Sequence, residues 1–226
     1  MKNTIKYLIL LIIYLVCGVN LQAQNYTFRN VVMSDGLSGL LVNAIYKDSE
    51  GFVWLGTDNC LDRFDGVKVR HYEFRGVDSG RKKRVNCITE TADNQLWVGN
   101  GIGLWRLNRA NGQLERIVPE KIDFAVNTLL PDGDILYIGT EKGLFIQKDG
   151  QLLQVLTDRN MLAACNRIMD LCLNEDKSAL WLATVQGLFS YSLKDGKIDS
   201  WHFQENVPEA DYFRCLTRIG EIGRAS

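Results

Sequence analysis

The chain has 226 residues, 46% of them hydrophobic and 23% charged, and 26 Lys and Arg against 27 Asp and Glu leave a formal charge of −1. That balance gives no electrostatic case for a nucleic-acid partner or an anionic membrane surface. The one basic run, Arg81-Lys82-Lys83-Arg84, reads as a solvated loop between repeats.

The first segment, residues 1–23, reads as an export signal. Lys2 and Lys6 supply a positive start, residues 7–19 are almost wholly apolar, and Leu21-Gln22-Ala23 precedes an expected cut before Gln24. The apolar run falls short of the roughly 20 residues a helical span needs. A lipid anchor on Cys17 is disfavoured by Val16, because the residue before a lipidated cysteine is usually small. Residues 24–41 form a strand-like stretch at 26–32 and a lead-in.

From residue 42 onward one pattern recurs four times. Its first copy reads Val42-Asn43-Ala44-Ile45, Gly51-Phe52-Val53-Trp54-Leu55-Gly56-Thr57 and Cys60-Leu61-Asp62-Arg63-Phe64-Asp65-Gly66. The second carries Val85-Asn86-Cys87-Ile88, Leu96-Trp97-Val98-Gly99 and Gly103-Leu104-Trp105. The third carries Val126-Asn127-Thr128-Leu129, Leu136-Tyr137-Ile138-Gly139 and Gly143-Leu144-Phe145, and the fourth Met169-Asp170-Leu171-Cys172, Leu180-Trp181-Leu182-Ala183 and Gly187-Leu188-Phe189. The anchors Trp54, Trp97, Tyr137 and Trp181 are spaced by 43, 40 and 44 residues. Such a period, made of short β-like runs, is the mark of a propeller blade. The expected blades are 42–84, 85–125, 126–167 and 168–210, with the truncated start of a fifth at 211–226.

Within the first copy the runs are 42–47, 52–57, 60–64 and 67–74. Asp65-Gly66, Asn111-Gly112, Asp149-Gly150 and Asp195-Gly196 fall between the third and fourth runs of successive copies. They are hairpin signals, because Gly admits positive φ and Asp or Asn tolerates it. The expected fold is therefore an all-β partial propeller of four-stranded antiparallel blades. Each aromatic anchor is expected to fill the gap between neighbouring sheets, a burial of roughly 2–3 kcal/mol. Gly56, Gly99, Gly139 and Ala183 are expected to let a neighbour approach closely.

Five cysteines follow the leader, an odd number at irregular spacing that does not read as a disulfide framework. Cys87, Cys172 and Cys215 fall in expected first strands as small buried hydrophobes, and any bridge would involve Cys165. Phe213-Arg214-Cys215-Leu216-Thr217-Arg218 reads as the first strand of the fifth copy, and Gly220-Glu221-Ile222 as its following turn.

The first copy, with Met33-Ser34-Asp35-Gly36-Leu37-Ser38 ahead of it, resembles the two-component regulator propeller repeat. That pattern has an Asp-Gly-Leu-Ser lead, an Asp-x-x-Gly-Phe-x-Trp-x-Gly-Thr core and a Gly-Leu-x-Arg-Tyr-Asp-Gly close. This chain departs from it at Cys60, which stands for a glycine and is expected to strain its turn, and at Phe64. The resemblance covers about residues 26–219. It implies the periplasmic sensor of a Bacteroides-type hybrid two-component system, anchored in the inner membrane at full length. It also implies an oligosaccharide ligand and control of glycan-utilisation genes. The remaining blades, the downstream sensor domains and a homodimer are the implied partners.

No catalytic constellation, cofactor motif or metal site is read from the residues. His71 and His202 lie in outer strands of non-adjacent blades and are not expected to share a zinc ion. Asp62 and Asp65 recur poorly in the other copies, and Asp132-Gly133-Asp134 and Asp58-Asn59 read as turns. No kinase motif is found. A stand-alone adaptor propeller and a propeller lyase or hydrolase remain as alternative readings.

Overall fold

The computed structural model describes residues 6–7, 30–77, 83–117, 120–156, 167–201 and 213–217. The expected export signal apart from residues 6–7, residues 26–29 of the expected strand, His202, Cys165 and the turn at 220–222 lie outside them, and residues 30–32, which the sequence placed at the end of that strand, are not in a strand. Contacts divide the chain into Met1–Val31 and Val32–Ser226, and every described strand lies in the second unit.

Each repeat copy folds into one four-stranded antiparallel sheet with its strands in sequence order. Blade one comprises β1 (Val42–Lys47), β2 (Val53–Thr57), β3 (Leu61–Phe64) and β4 (Val69–Tyr72). Blade two comprises β5 (Val85–Glu90), β6 (Leu96–Asn100), β7 (Gly103–Asn108) and β8 (Gln113–Ile117). Blade three has β9 (Val126–Asp132), β10 (Ile135–Thr140), β11 (Gly143–Lys148) and β12 (Gln151–Gln154). Blade four has β13 (Ile168–Leu173), β14 (Ala179–Thr184), β15 (Gly187–Ser192) and β16 (Ile198–Trp201). Short connections leave only the meander topology open to each copy. The Asp149-Gly150 turn between β11 and β12 takes positive φ at both residues, 49° and 74°, as a two-residue hairpin requires.

All four blades carry a bulge at the same place in the pairing of their first two strands. Val42 pairs with Thr57 and Ala44 with Gly56, and the same skip recurs at Val85/Cys87, Val126/Thr128 and Ile168/Asp170. This register corrects the alignment of the fourth copy. Ile168, not Met169, is the equivalent of Val126, and Met169 occupies the bulged position held by Asn86 and Asn127. There the asparagines bridge blades: Asn86 Nδ2 donates to the Val126 carbonyl and Asn127 Nδ2 to the Ile168 carbonyl, each at 2.8 Å. Met169 has no such donor.

The hydrophobic core is three slabs, one between each pair of consecutive blades. Trp54 packs with Leu61, Val85, Ile88 and Trp105, and Trp97 with Val126, Leu136, Ile138 and Phe145. Tyr137 packs with Ile168, Leu171, Leu182 and Phe189. Trp54, Trp97 and Tyr137 are at most 6% exposed, whereas Trp181 is half-buried. The glycine two positions after each of the first three anchors faces the first strand of the next blade. A Cβ on Gly56 would lie 2.4 Å from Val85 Cγ1, one on Gly99 2.5 Å from Val126 Cγ1, and one on Gly139 2.7 Å from Ile168 Cγ2. These positions lack side chains because a β-branched residue of the neighbouring blade fills the space.

Residues 213–217 lie beside blade four without strand pairing: Phe213 N donates to the Thr184 carbonyl and Leu216 N to Asp170 Oδ2. Cys215, expected as a buried thiol of a first strand, is exposed because no described residue covers that side of the segment. Cys87 and Cys172 do lie on first strands, partly buried, and the four described cysteines are free thiols.

Candidate functional site

The repeat core around Trp54 is organised by a buried carboxylate. Asp48 Oδ1 accepts the backbone N–H groups of Glu50 and Phe52, and Asp48 Oδ2 accepts the indole N–H of Trp54 at 2.7 Å. Arg63, paired across the strands with Trp54, lies over the Phe52 ring at 4.2 Å. Arg109 of blade two reaches back to Glu50 and Glu90 at 2.9 and 2.7 Å, with Asp48 at 3.8 Å. Glu90 in turn accepts the backbone N–H and hydroxyl of Ser49. This network stitches blades one and two together and has no free reactive group.

A second cluster has more chemical content. Gly36, in the left-handed region at φ 100°, ends a 3-10 turn over Met33–Asp35 and returns the chain onto blade one. Ser38 then donates both its backbone N–H and its hydroxyl to Asp62 Oδ2, each at 2.8 Å, and its hydroxyl lies 2.9 Å from Thr57 Oγ1. Cys60 and Asp62 are two apart along an extended segment and so share a face. His71 on β4 pairs directly opposite Asp62 on β3. The result is a tight group: His71 Nδ1 lies 2.7 Å and Cys60 Sγ 3.3 Å from the same oxygen, Asp62 Oδ1.

Asp62 is fully buried, Cys60 nearly so, and the His71 side chain is half-exposed. Burial, and secondarily the Asp62 charge, push the Cys60 thiol up to about 12 from an ordinary 9.0. Cys60 is absent from the residues with positive φ, unlike Gly103, Gly143 and Gly187 at the equivalent positions, so its turn carries no left-handed strain, contrary to expectation. The sequence reading paired His71 only with His202 and missed this group. On its outer side His71 also lines a cleft of ≈ 320 Å³ with Arg70, Glu73, Arg75, Asn111 and Gln113, between the outer strands of blades one and two.

A third feature is the uncovered face of blade four. Cys172, Leu173, Trp181, Leu188 and Leu216 line a depression of ≈ 440 Å³, and Trp181 stacks at a tilt on Trp201, 5.4 Å away. Trp181 pairs with Cys172 and Ser190 in the same register in which Trp97 pairs with Thr89 and Arg106. Among the anchors it is the one whose ring is available for a contact.

Residues 36–59, which include the Ser38 lead and the Asp48–Trp54 core, match the family model described as two component regulator propeller. A histidine kinase of Formosa agariphila, Histidine kinase P4, is 32% identical over 79 residues, which are 35% of this chain and 6% of that protein. The extracellular domain of a hybrid two-component system from B. thetaiotaomicron superposes with a TM-score of 0.60 at 26% identity, covering 74% of this chain and 23% of that one. A second such domain from B. thetaiotaomicron gives 0.64 at 21% identity, covering 77% and 26%. Virginiamycin B lyase from Staphylococcus aureus, at 0.57 and 17% identity over 75% of this chain and 57% of its own, shares the fold. The chain thus spans about a quarter of those extracellular domains and a small part of the kinase. It is a β-propeller carrying a two-component regulator propeller repeat, similar over 74% of its length to the extracellular domain of a Bacteroides hybrid two-component system.

Proposed function

We propose that this chain is the N-terminal part of the periplasmic sensing propeller of a hybrid two-component system, that it responds to an oligosaccharide, and that it controls genes for glycan use. The observation that carries this reading is the repeat core at 36–59, set in a blade stack similar to the extracellular sensor domains. The chain acts by binding and transmits through the assembly rather than by turnover. Its polar groups around Asp48 and Arg109 are consumed in stitching blades together. The apolar face of blade four takes the next blades of the sensor, with residues 213–217 as the first contact. A homodimer through that face is the competing arrangement. Likeness to the lyase is a likeness of fold, and no observation favours lyase chemistry here.

The test is genetic. Deleting the gene in its host and profiling transcripts during growth on a panel of purified glycans should abolish induction of one glycan-uptake operon and leave the others unchanged. Unaltered induction on every glycan would refute the sensing role. Turnover of any of those glycans by the purified protein would refute the binding-only reading.

A further inference from the structure

We propose that Cys60, Asp62 and His71 form a binding site for a divalent transition cation of the zinc type. The three candidate donor atoms, a thiol sulfur, a carboxylate oxygen and an imidazole nitrogen, all lie within 4.8 Å of one another. With metal–ligand bonds of about 2.0–2.3 Å, small shifts would seat a cation among them. Thiolate, imidazole and carboxylate together suit zinc rather than calcium or magnesium, which take oxygen ligands. Three protein ligands leave a fourth position for water or a ligand group, the pattern of open zinc sites.

Comparison of the blades argues that the fold does not require this group. The residue equivalent to Asp62 is Trp105 in blade two, Phe145 in blade three and Phe189 in blade four, each pairing at the same place with the second strand. The residue equivalent to Cys60 is Gly103, Gly143 or Gly187. Blade one therefore replaces a glycine and a buried aromatic ring by a thiol and a buried carboxylate. It also places a histidine across from that carboxylate. In the other blades the ring fills the slab with the preceding blade, whereas among the described residues this face of blade one meets the Ser38 lead, so the position is not bound to carry a packing ring.

The electrostatics point the same way. Asp62 is fully buried, and among the described residues no lysine or arginine pairs with it; His71 is its one partner able to carry positive charge. A buried carboxylate is costly without a cation. A divalent ion would supply that charge and displace the thiol proton, releasing protons on binding. Ser38 would serve as the outer support, since its N–H and hydroxyl hold Asp62 Oδ2 and leave Oδ1 for the metal. The half-exposed His71 side chain marks the entry side. The site lies in blade one and is separate from the apolar face on which the proposed assembly rests.

The experiment is a cobalt titration of the purified, chelator-stripped chain, with zinc as competitor. One equivalent of Co²⁺ should produce a thiolate-to-cobalt charge-transfer band, and Zn²⁺ should bleach it. Cys60→Ser should abolish the band, and His71→Ala should raise the Co²⁺ dissociation constant by about 100-fold or more. Ser38→Ala should raise it by about 10–100-fold through the outer shell. His71 is half-exposed, so its variant keeps the fold even where Cys60→Ser does not, and circular dichroism verifies this. No thiolate band in the parent chain, or affinity unchanged by His71→Ala, would overturn the site. A band that survives Cys60→Ser would overturn it too, by assigning the metal to another cysteine of the chain.

Discussion

At the scale of single residues, Asp48 explains why the repeat core places an aspartate six positions before its tryptophan. Its two oxygens satisfy two backbone N–H groups and one buried indole, so the turn and the anchor are fixed by one side chain. Asp48→Ala should leave the indole N–H buried without an acceptor and cost about 3 kcal/mol, read from urea denaturation. In blade two the equivalent acceptor is the hydroxyl of Thr91, which takes the Trp97 indole at 3.1 Å. Thr91→Val should cost less there, about 1–2 kcal/mol. The Cys60 thiol supplies a pH signature. Its folded value of about 12 stands above the ordinary 9.0, so the folded form holds a proton that the unfolded chain releases. Its contribution to stability is complete below pH 9 and is lost as pH rises toward 12. The denaturation midpoint of the metal-free protein should fall across that interval, and Cys60→Ser should flatten the fall. An unchanged slope in the variant would assign the loss to other groups.

At the scale of elements, the strands follow from alternation and turn chemistry, and the blade-to-blade fit follows from what the strands omit. Gly99→Ala would set a Cβ 2.5 Å from both Cys87 Sγ and Val126 Cγ1. Neither neighbour has a flexible end to swing away, so the blades must part, at a cost of about 1–3 kcal/mol in denaturant unfolding. Ala183 already carries that Cβ on blade four and is buried. Much of this was legible beforehand: the strand at Val42–Lys47, the Asp-Gly and Asn-Gly hairpins and the small residue after each anchor are all local signals. What stayed hidden depended on register. The fourth copy was misaligned by one because its first turn is longer: six residues separate the paired Leu173 and Leu180, where five separate the paired Glu90 and Leu96, so counting back from Trp181 lands on Met169 instead of Ile168. Cys60, Asp62 and His71 meet only once the four-residue turn over 65–68, centred on Gly66-Val67, sets which residue of β4 stands opposite Asp62. The period-two spacing of Cys60 and Asp62, folded about that turn, is the signal that could have found them.

At the scale of the whole molecule, each blade is held by its neighbours more than by itself, as in other repeat proteins. Blades two and three are packed on both faces, with Trp105 and Val98 in one slab and Trp97 and Leu104 in the next. Blade four contributes Leu180, Leu182 and Phe189 to the slab with blade three, while Trp181 and Leu188 look out over the opposite face. Its strands should therefore open more readily than those of blade two, although both have the same hydrogen-bonded ladder. Hydrogen exchange on the purified chain at low concentration should give β14 amides on the order of tenfold less protection than β6 amides. The difference should shrink as concentration rises if copies cover one another through the Trp181 face, and sedimentation over the same range would register that association. Equal protection of β14 and β6 in a chain that sediments as a monomer would contradict the argument. It would mean that residues 213–217, held to blade four by the Phe213 and Leu216 amides, already cover the face as well as a full blade would.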